Sequence, residues 1–311
     1  MFLLLQLSIV VNFVKLSNLR RLEGLLEALS RQNSKSFELL LVCRESLQSH
    51  ESLINILSKY ERAYPIRVFK EPEGGGLSKG RNLGLKKSRA KNIAFIDDDA
   101  IPTMNWVKSI NESLVEYDGV TGPTEPIFES PICIRIPREL FWIFSCSYIP
   151  VKDKTIFYDG FGVNMAFKRH ILLEIGGFNE NLGIKIDRKS WIGGEDTELF
   201  HRLRHYGYKV VWNTRMKVYH VIGSERCNPR YVLSRAKSVG FSRAIMYKYF
   251  ERTRKVAFRI DYVRYLSLFT MKKILKGDPA ALWNITVGLS LIIGYLRGMG
   301  MNLSILSDCS A

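Results

Sequence analysis

Three consecutive carboxylates, Asp97, Asp98 and Asp99, close an apolar run in FIDDDA. Like charges held this closely raise one another's pKa and resist desolvation, a penalty that a divalent cation removes. Hard oxygen donors suit Mg²⁺ or Mn²⁺, ions that keep several waters and commonly bridge a substrate diphosphate. The plainer use of such a triplet is a solvated acidic turn or a helix N-cap. A second acidic pair, Glu195 and Asp196, follows Trp191 and two glycines in WIGGEDTELFHRL. Acids in a first helical turn ordinarily complement the helix dipole. Here Gly193 and Gly194 also permit a ligand to come close, and Trp191 can pack on the apolar face of a sugar ring. A carboxylate in that place can act as general base toward a hydroxyl.

The segment GGGLSKGRNLGL, Gly74 to Leu85, sets glycines, Ser78, Lys79 and Arg81 immediately before a helical stretch. Exposed amides, a helix N-terminus and two cations together make an anion site. It is not a Walker motif, because no GxxxxGK[ST] runs through it, and no ribose-binding acid follows a GxGxxG. A flexible connection into a basic helix is the simpler alternative. His220, in KVYHVI, is one imidazole among apolar neighbours; it becomes a metal ligand only if the fold brings it to the aspartates.

The elements that must position these groups are readable from periodicity. Leu7 to Phe13 is a β-rich apolar run, and Leu19, Leu22, Leu25, Leu26 and Leu29 recur at helical spacing up to Gln32. Strands are expected over Phe37 to Val42, Ile66 to Phe69 and Asn92 to Ile96, with helices around Leu53 to Tyr60 and after Gly80. This alternation predicts an α/β fold, a Rossmann-like, mostly parallel sheet flanked by helices. Ligands of such sheets sit beyond the carboxyl ends of the strands, where the three aspartates fall. From Thr121 the pattern turns irregular, then gives a helix from Glu195 to Tyr206 and short strands near Tyr208 to Trp212 and Lys217 to Ile222.

The chain has 311 residues, 46% hydrophobic and 24% charged, which excludes disordered, collagenous and disulfide-stapled miniature classes. It carries 46 Lys+Arg against 30 Asp+Glu, net +16, a surface suited to polyanions such as phosphates. Most of the excess is C-terminal: residues 225–311 hold 15 Lys+Arg and 5 Asp+Glu. That region interleaves basic and aromatic residues and ends in Ala280 to Leu296, a 17-residue apolar stretch containing Asn284. A spanning helix needs about 20 apolar residues, so an interfacial or packed amphipathic helix ranks ahead of a span. The expected division is a catalytic domain over 1–224 and a basic, membrane-associating helical extension over 225–311. Five cysteines without a CxxC pair are expected as reduced thiols in a cytosolic setting. The start, MFLLLQLSIVVNFV, lacks a basic n-region and a small-residue cleavage site and is expected to be a buried strand.

In order, SIVVNF, FELLLVCRES, LSKGRNLGL, FIDDDAIP, GVNMAFKRHILLEIGGFNENLG, GGEDTEL and VYHV resemble the inverting family 2 glycosyltransferases of GT-A fold, over about residues 7–225. The resemblance implies metal-dependent transfer of a sugar from a nucleotide-diphosphate sugar to a hydroxyl acceptor, a lipid-linked saccharide or cell-surface glycan, in glycan biosynthesis. FIDDDA then stands as the DxD motif, with Asp97 toward ribose or metal, Asp98 in the variable middle place and Asp99 on the metal. His220 matches the late metal or diphosphate contact. Lys79, Arg81 and Asn82 fall on the donor side, and Trp191, Gly194 and Asn164 on the acceptor side. GGEDTEL makes Asp196 the catalytic base and Glu195 the neighbour that orients base or acceptor.

Two departures stand out. The family's acidic VDDGS-like turn is replaced by Val42, Cys43, Arg44, Glu45 and Ser46, and its first-strand proline by Asn12, so nucleotide identity is not read from these positions. PRELFWIFSCSY, GFGVNMAFKRH, GGEDTEL and RAKSVGFSRA are also similar to archaeal-type enzymes that elongate dolichyl-phosphate-linked sugars. That narrower resemblance implies a lipid-linked saccharide acceptor, an anionic membrane surface as partner and a peripheral place on the cytoplasmic face, with a single inserted C-terminal helix as the variant form. No nucleic acid is expected. The competing readings are a non-enzymatic basic protein that binds membrane or nucleic acid, and a sugar nucleotidyltransferase. The first leaves the acidic and glycine elements unexplained. The second lacks an early glycine-rich phosphate loop.

Overall fold

The computed structural model describes residues 5–72, 74–183, 193–253 and 261–300. Its strands are β1 (Leu7–Phe13), β2 (Phe37–Cys43), β3 (Ile66–Lys70), β4 (Asn92–Ile96), β5 (Ala100–Pro102), β6 (Gly119–Thr121), β7 (Thr124–Phe128), β8 (Asn164–Lys168), β9 (Val210–Trp212) and β10 (Val218–Ile222). Its helices are α1 (Leu19–Ser30), α2 (Glu45–Gln48), α3 (Glu51–Tyr60), α4 (Leu77–Lys87), α5 (Trp106–Glu116), α6 (Arg169–Glu174), α7 (Glu195–His205), α8 (Pro229–Thr253), α9 (Asp261–Leu275) and α10 (Ala280–Gly300).

Alternation along each strand divides the side chains between two cores. Leu7, Ile9, Val11 and Phe13 of β1, with the odd-numbered residues of β2, pack against the leucines of α1, Leu53 of α3 and Trp106 of α5. Val10, Leu40, Val42, Ile93, Phe95, Met165 and Phe167 face the other way, onto Leu85 of α4, Ile171 of α6 and Phe200 of α7. Each such buried aliphatic or aromatic side chain contributes about 1.5–3 kcal/mol of transfer free energy. The sheet is therefore covered on both faces, and its central strands read as continuous apolar runs.

The seven-stranded sheet has the order β3-β2-β1-β4-β8-β6-β9. β1, β2, β3 and β4 are mutually parallel, β8 enters antiparallel beside both β4 and β6, and β9 runs parallel to β6. The antiparallel β8 is a departure from simple strand-helix alternation, and it makes the sheet mixed. A three-stranded sheet, β5-β10-β7, lies beyond the end of β4. Helix α4 starts at Leu77, so Lys79 and Arg81 stand inside the helix rather than ahead of it. A Cβ on Gly80 would strike Asn12, and one on Gly84 would strike Val10. These two glycines let α4 lie flush on β1.

The described chain divides into two compact units, one of residues 1–127, 151–180 and 195–221, the other of 128–150, 181–194 and 222–311. The first holds the large sheet. The second also takes in 128–150 and 181–194, ahead of residue 224 in the sequence. Within this second unit α10 extends to Gly300 and is long and apolar enough to cross a membrane by length and composition.

Cys133 and Cys227 form a disulfide, their Cα atoms 4.9 Å apart across 94 residues of sequence. This corrects the expectation of reduced thiols throughout. Two cysteines so far apart carry no spacing signature, and only packing of the 3-10 turns Pro131–Arg135 and Ser224–Arg226 brings them together. Cys43 and Cys146 are buried thiols outside that bridge, and burial pushes the Cys43 thiol up to about 11. Closing a loop of 94 residues removes about 4–5 kcal/mol of unfolded-state freedom in the chain-entropy model. Reduction, or Cys133→Ser, is therefore expected to lower the melting temperature by several degrees in calorimetry; an unchanged transition would show that the bridge adds no stability.

Candidate active site

The three aspartates leave the carboxyl end of β4 and turn into β5, whose antiparallel pairing with β10 sets His220 opposite Ala100. The backbone N–H of Val221 donates to the Asp99 carbonyl at 2.8 Å. His220 Nε2 lies 3.0 Å from Asp99 Oδ1, both side chains almost fully buried. One ligand atom from each of Asp97, Asp99 and His220 lies within 4.8 Å of the others. Two carboxylates and an imidazole on one side of a strand end form a hard donor set, able to hold Mg²⁺ or Mn²⁺ with positions left for other ligands. Asp98 points elsewhere: both of its oxygens accept from the Asn18 amide, at 3.2 and 3.3 Å, just ahead of α1.

The second acidic pair converges on the same strand end. Antiparallel pairing matches Ile96 of β4 with Asn164 of β8, so the residues before β8 stand next to the aspartates. The backbone N–H of Gly162 donates to Asp196 Oδ2 at 3.0 Å, and that of Thr197 to Oδ1 at 2.7 Å. These bonds orient the Asp196 carboxylate in the first turn of α7. Gly194, with φ of +96°, makes the turn into that helix at an angle L side chains avoid.

Between the two acidic groups sits Arg81. Its Nη1 donates to Glu195 Oε1 at 2.9 Å and its Nη2 to Asp97 Oδ1 at 3.3 Å. The residue is 3% exposed, and Gly162 packs against its guanidinium where any side chain would collide. Burial alone would weaken its charge, but the carboxylates of Glu195, Asp97 and Asp196 outweigh that and hold its pKa above the ordinary value. Arg81 was expected on a donor phosphate; it is an internal cation joining the two acidic clusters. Helical geometry turns it inward while Lys79, two positions earlier, faces Gly74 in the preceding turn.

Three further expectations meet a different geometry. Asn82 donates to the Phe178 carbonyl and Glu180 Oε1, both at 2.9 Å, and accepts from the Phe178 N–H at 2.8 Å, which ties α4 to the loop after α6. Asn164, expected toward the acceptor, is fully buried. It accepts from Trp106 Nε1 at 2.9 Å and donates to the Met216 and Pro123 carbonyls at 2.8 and 3.3 Å. Its amide closes the seam between the sheets. The three glycines at 74–76 all have positive φ, and the Gly76 N–H is taken by Glu71 Oε1 at 3.0 Å, so a protein carboxylate already occupies part of that loop. Trp191 lies outside the described residues. Sequence reasoning missed the orienting roles of Asn18 and Gly162; for Gly162 the GFG run before β8 was the available signal.

A mostly parallel sheet with an acidic metal-donor set at its carboxyl edge and a carboxylate in a following helix defines the GT-A class of glycosyltransferases. The family model of glycosyl transferase family 2 matches residues 9–176, and the chain belongs to that family. Among curated proteins it is similar to the glucosyl-dolichyl phosphate glucuronosyltransferase of Haloferax volcanii, with 22% identity over 247 residues covering 78% of this chain and 77% of that one. Among solved structures, a mannosyltransferase of Pyrobaculum calidifontis in complex with GDP-mannose and Mn²⁺ aligns with TM-score 0.59 and 15% identity, over 95% of this chain and 87% of that one. TarS of S. aureus in complex with UDP aligns with TM-score 0.51 and 14% identity, over 94% and 90% of the two chains.

Replacing Arg81 by Met removes the shared cation and breaks the buried Arg81–Glu195 ion pair. Breaking a buried pair in this way costs about 3–5 kcal/mol, so Arg81→Met is expected to lose stability of that order in urea unfolding. A loss below about 1 kcal/mol, the range of surface pairs, would show that the guanidinium does not hold the two clusters.

Proposed function

We propose that this family 2 glycosyltransferase uses a nucleotide-diphosphate sugar as donor, requires a divalent metal, and transfers the sugar with inversion to a hydroxyl of a lipid-linked saccharide. The observation that carries the reading is the pair of carboxylate clusters, Asp97 with Asp99 and Glu195 with Asp196, gathered around the Arg81 guanidinium. Asp97, Asp99 and His220 would hold Mg²⁺ or Mn²⁺, and a bound ion there neutralises charge developing on a departing diphosphate. The GDP-mannose and Mn²⁺ of the Pyrobaculum structure support this assignment by analogy of fold.

Asp196 takes the proton of the acceptor hydroxyl as the new glycosidic bond forms. Its two backbone donors orient the carboxylate, and the residue stays partly exposed. A phosphate acceptor is already ionised near neutral pH and needs no base, so an oriented carboxylate favours a hydroxyl acceptor. Attack from the face opposite the leaving group gives inversion. Glu195, engaged with Arg81, sets the entry of α7 and so the position of Asp196. The lipid-linked acceptor is supported by the Haloferax relative, whose name includes a dolichyl phosphate, and by the basic C-terminal region. The protein then works as a peripheral enzyme at a membrane surface.

A general base contributes about 10²–10⁴-fold. Asp196→Asn is expected to lose kcat by that factor while retaining donor affinity, measured as nucleoside diphosphate released from UDP- and GDP-sugars with lipid-linked saccharides present. Full activity would remove Asp196 from the role, and pyrophosphate released when a nucleoside triphosphate and a sugar phosphate are supplied, with no nucleoside diphosphate formed from the nucleotide sugars, would mark a nucleotidyltransferase instead. For the metal, Asp99→Asn is expected to weaken Mn²⁺ binding in calorimetry by more than the about 10- to 100-fold that follows loss of an outer partner. Unchanged Mn²⁺ affinity would place the ion elsewhere.

A further inference from the structure

Helix α10 has two opposite faces. Ala281, Asn284, Val287, Leu291, Gly294 and Gly298 are buried. Leu282, Ile285, Leu289, Ile292, Ile293 and Leu296 are between 41% and 68% exposed and recur at spacings of three and four. On α9, Leu268, Met271, Ile274 and Leu275 add a second exposed apolar row. The outer face thus presents two rows of exposed apolar side chains, and contiguous apolar surface of this kind marks an interaction site.

The buried face cannot be separated from α8. A Cβ on Gly294 would collide with the Lys237 carbonyl, one on Gly240 with the Leu291 carbonyl, and one on Gly298 with Ala244. Helix α8 brings Arg230, Arg235, Lys237, Arg243 and Lys248 with it. Near its start α10 is also tied to a charged interior: Asn284 Nδ2 donates to Glu139 Oε1 at 2.8 Å, and Lys273 Nζ lies 3.3 Å from the same oxygen and 3.1 Å from Asp278. Burial works against the Lys273 charge, but Asp278 and Glu139 outweigh it and hold its pKa above the ordinary value. To span a bilayer, α10 would have to leave this packing or draw a cationic helix and a charged pair into hydrocarbon, where no water meets them.

From this we infer that the α9–α10 face is a monotopic membrane-binding surface, with α10 lying in the plane of an anionic bilayer instead of crossing it. Exposed Lys272, Lys276 and Arg297 flank the apolar rows, and Trp283 and Tyr295, half-buried at their margins, are residue types that settle at a headgroup boundary. A groove of about 520 Å³ beside Leu282, lined by Pro229, Leu233, Pro279 and Trp283, has both Arg135 and Asp278 among its wall residues. Charge selects the occupant. A second copy would set these cationic flanks against each other, whereas anionic lipid neutralises them. The inference deepens the peripheral-membrane part of the proposed function and is independent of the transfer chemistry.

The test is flotation of the full chain with phosphatidylcholine vesicles with and without phosphatidylglycerol. Binding is expected only with the anionic lipid, to weaken in high salt, and to be released from cell membranes by alkaline carbonate. Leu289→Glu with Ile293→Glu, and separately Lys272→Glu with Lys276→Glu and Arg297→Glu, are expected to reduce binding at least tenfold at unchanged melting temperature. Failure of the unaltered chain to float with anionic vesicles overturns the inference. So does retention after carbonate, which means a span, or a light-scattering dimer dissolved by the Leu289 and Ile293 pair, which gives the face to a second copy. Nucleotide-sugar turnover by the same preparations separates the two readings: vesicle binding lost with turnover intact strikes this inference alone, and the reverse strikes the transferase reading.

Discussion

A single buried guanidinium organises the catalytic unit. Taking a charge out of water costs several kcal/mol unless good geometry and opposite charge compensate. Arg81 meets that requirement with Asp97, 16 residues away in sequence, and Glu195, 114 residues away. Without it the two carboxylate clusters would face one another across a weakly solvated gap and repel. With it, the carboxylates at the end of β4 and the first turn of α7 are held at one distance, so the proposed base and the proposed cation site share one scaffold.

The chain path makes that convergence possible. β8 is inserted antiparallel between β4 and β6, so the stretch leading into it arrives at the edge where β4 ends. Gly162 is there to orient Asp196, and its lack of a side chain is what admits Arg81 so closely. β10 performs the corresponding task for His220 by pairing with β5. Helix α4 supplies Arg81 at the right depth because Gly80 and Gly84 allow it to rest on β1.

Much of this was readable before any coordinates. The strands from Leu7, Phe37, Ile66 and Asn92 announce themselves by apolar runs set between helical repeats, and a carboxylate triplet after a strand has few physical uses. Residues whose meaning depends on direction were not readable. Arg81 in a glycine-rich basic segment looks like a phosphate ligand until the helix phase is known. Asn82 and Asn164 look available to ligands, yet both amides fasten loops and strands internally. The Cys133–Cys227 bridge depends wholly on tertiary packing. Periodicity reports which residues share a face; it does not report which groups from distant segments meet there.

The glycine contacts between α8 and α10 also bear on how the protein is made. Helix α8 leaves the ribosome well before α10, so the groove destined for Gly294 and Gly298 stays open while the intervening residues are translated. A nascent chain paused at that stage presents raw apolar surface of the kind that recruits chaperones or invites aggregation. The seam between α8 and α10 therefore closes only once the chain has been made as far as Gly298.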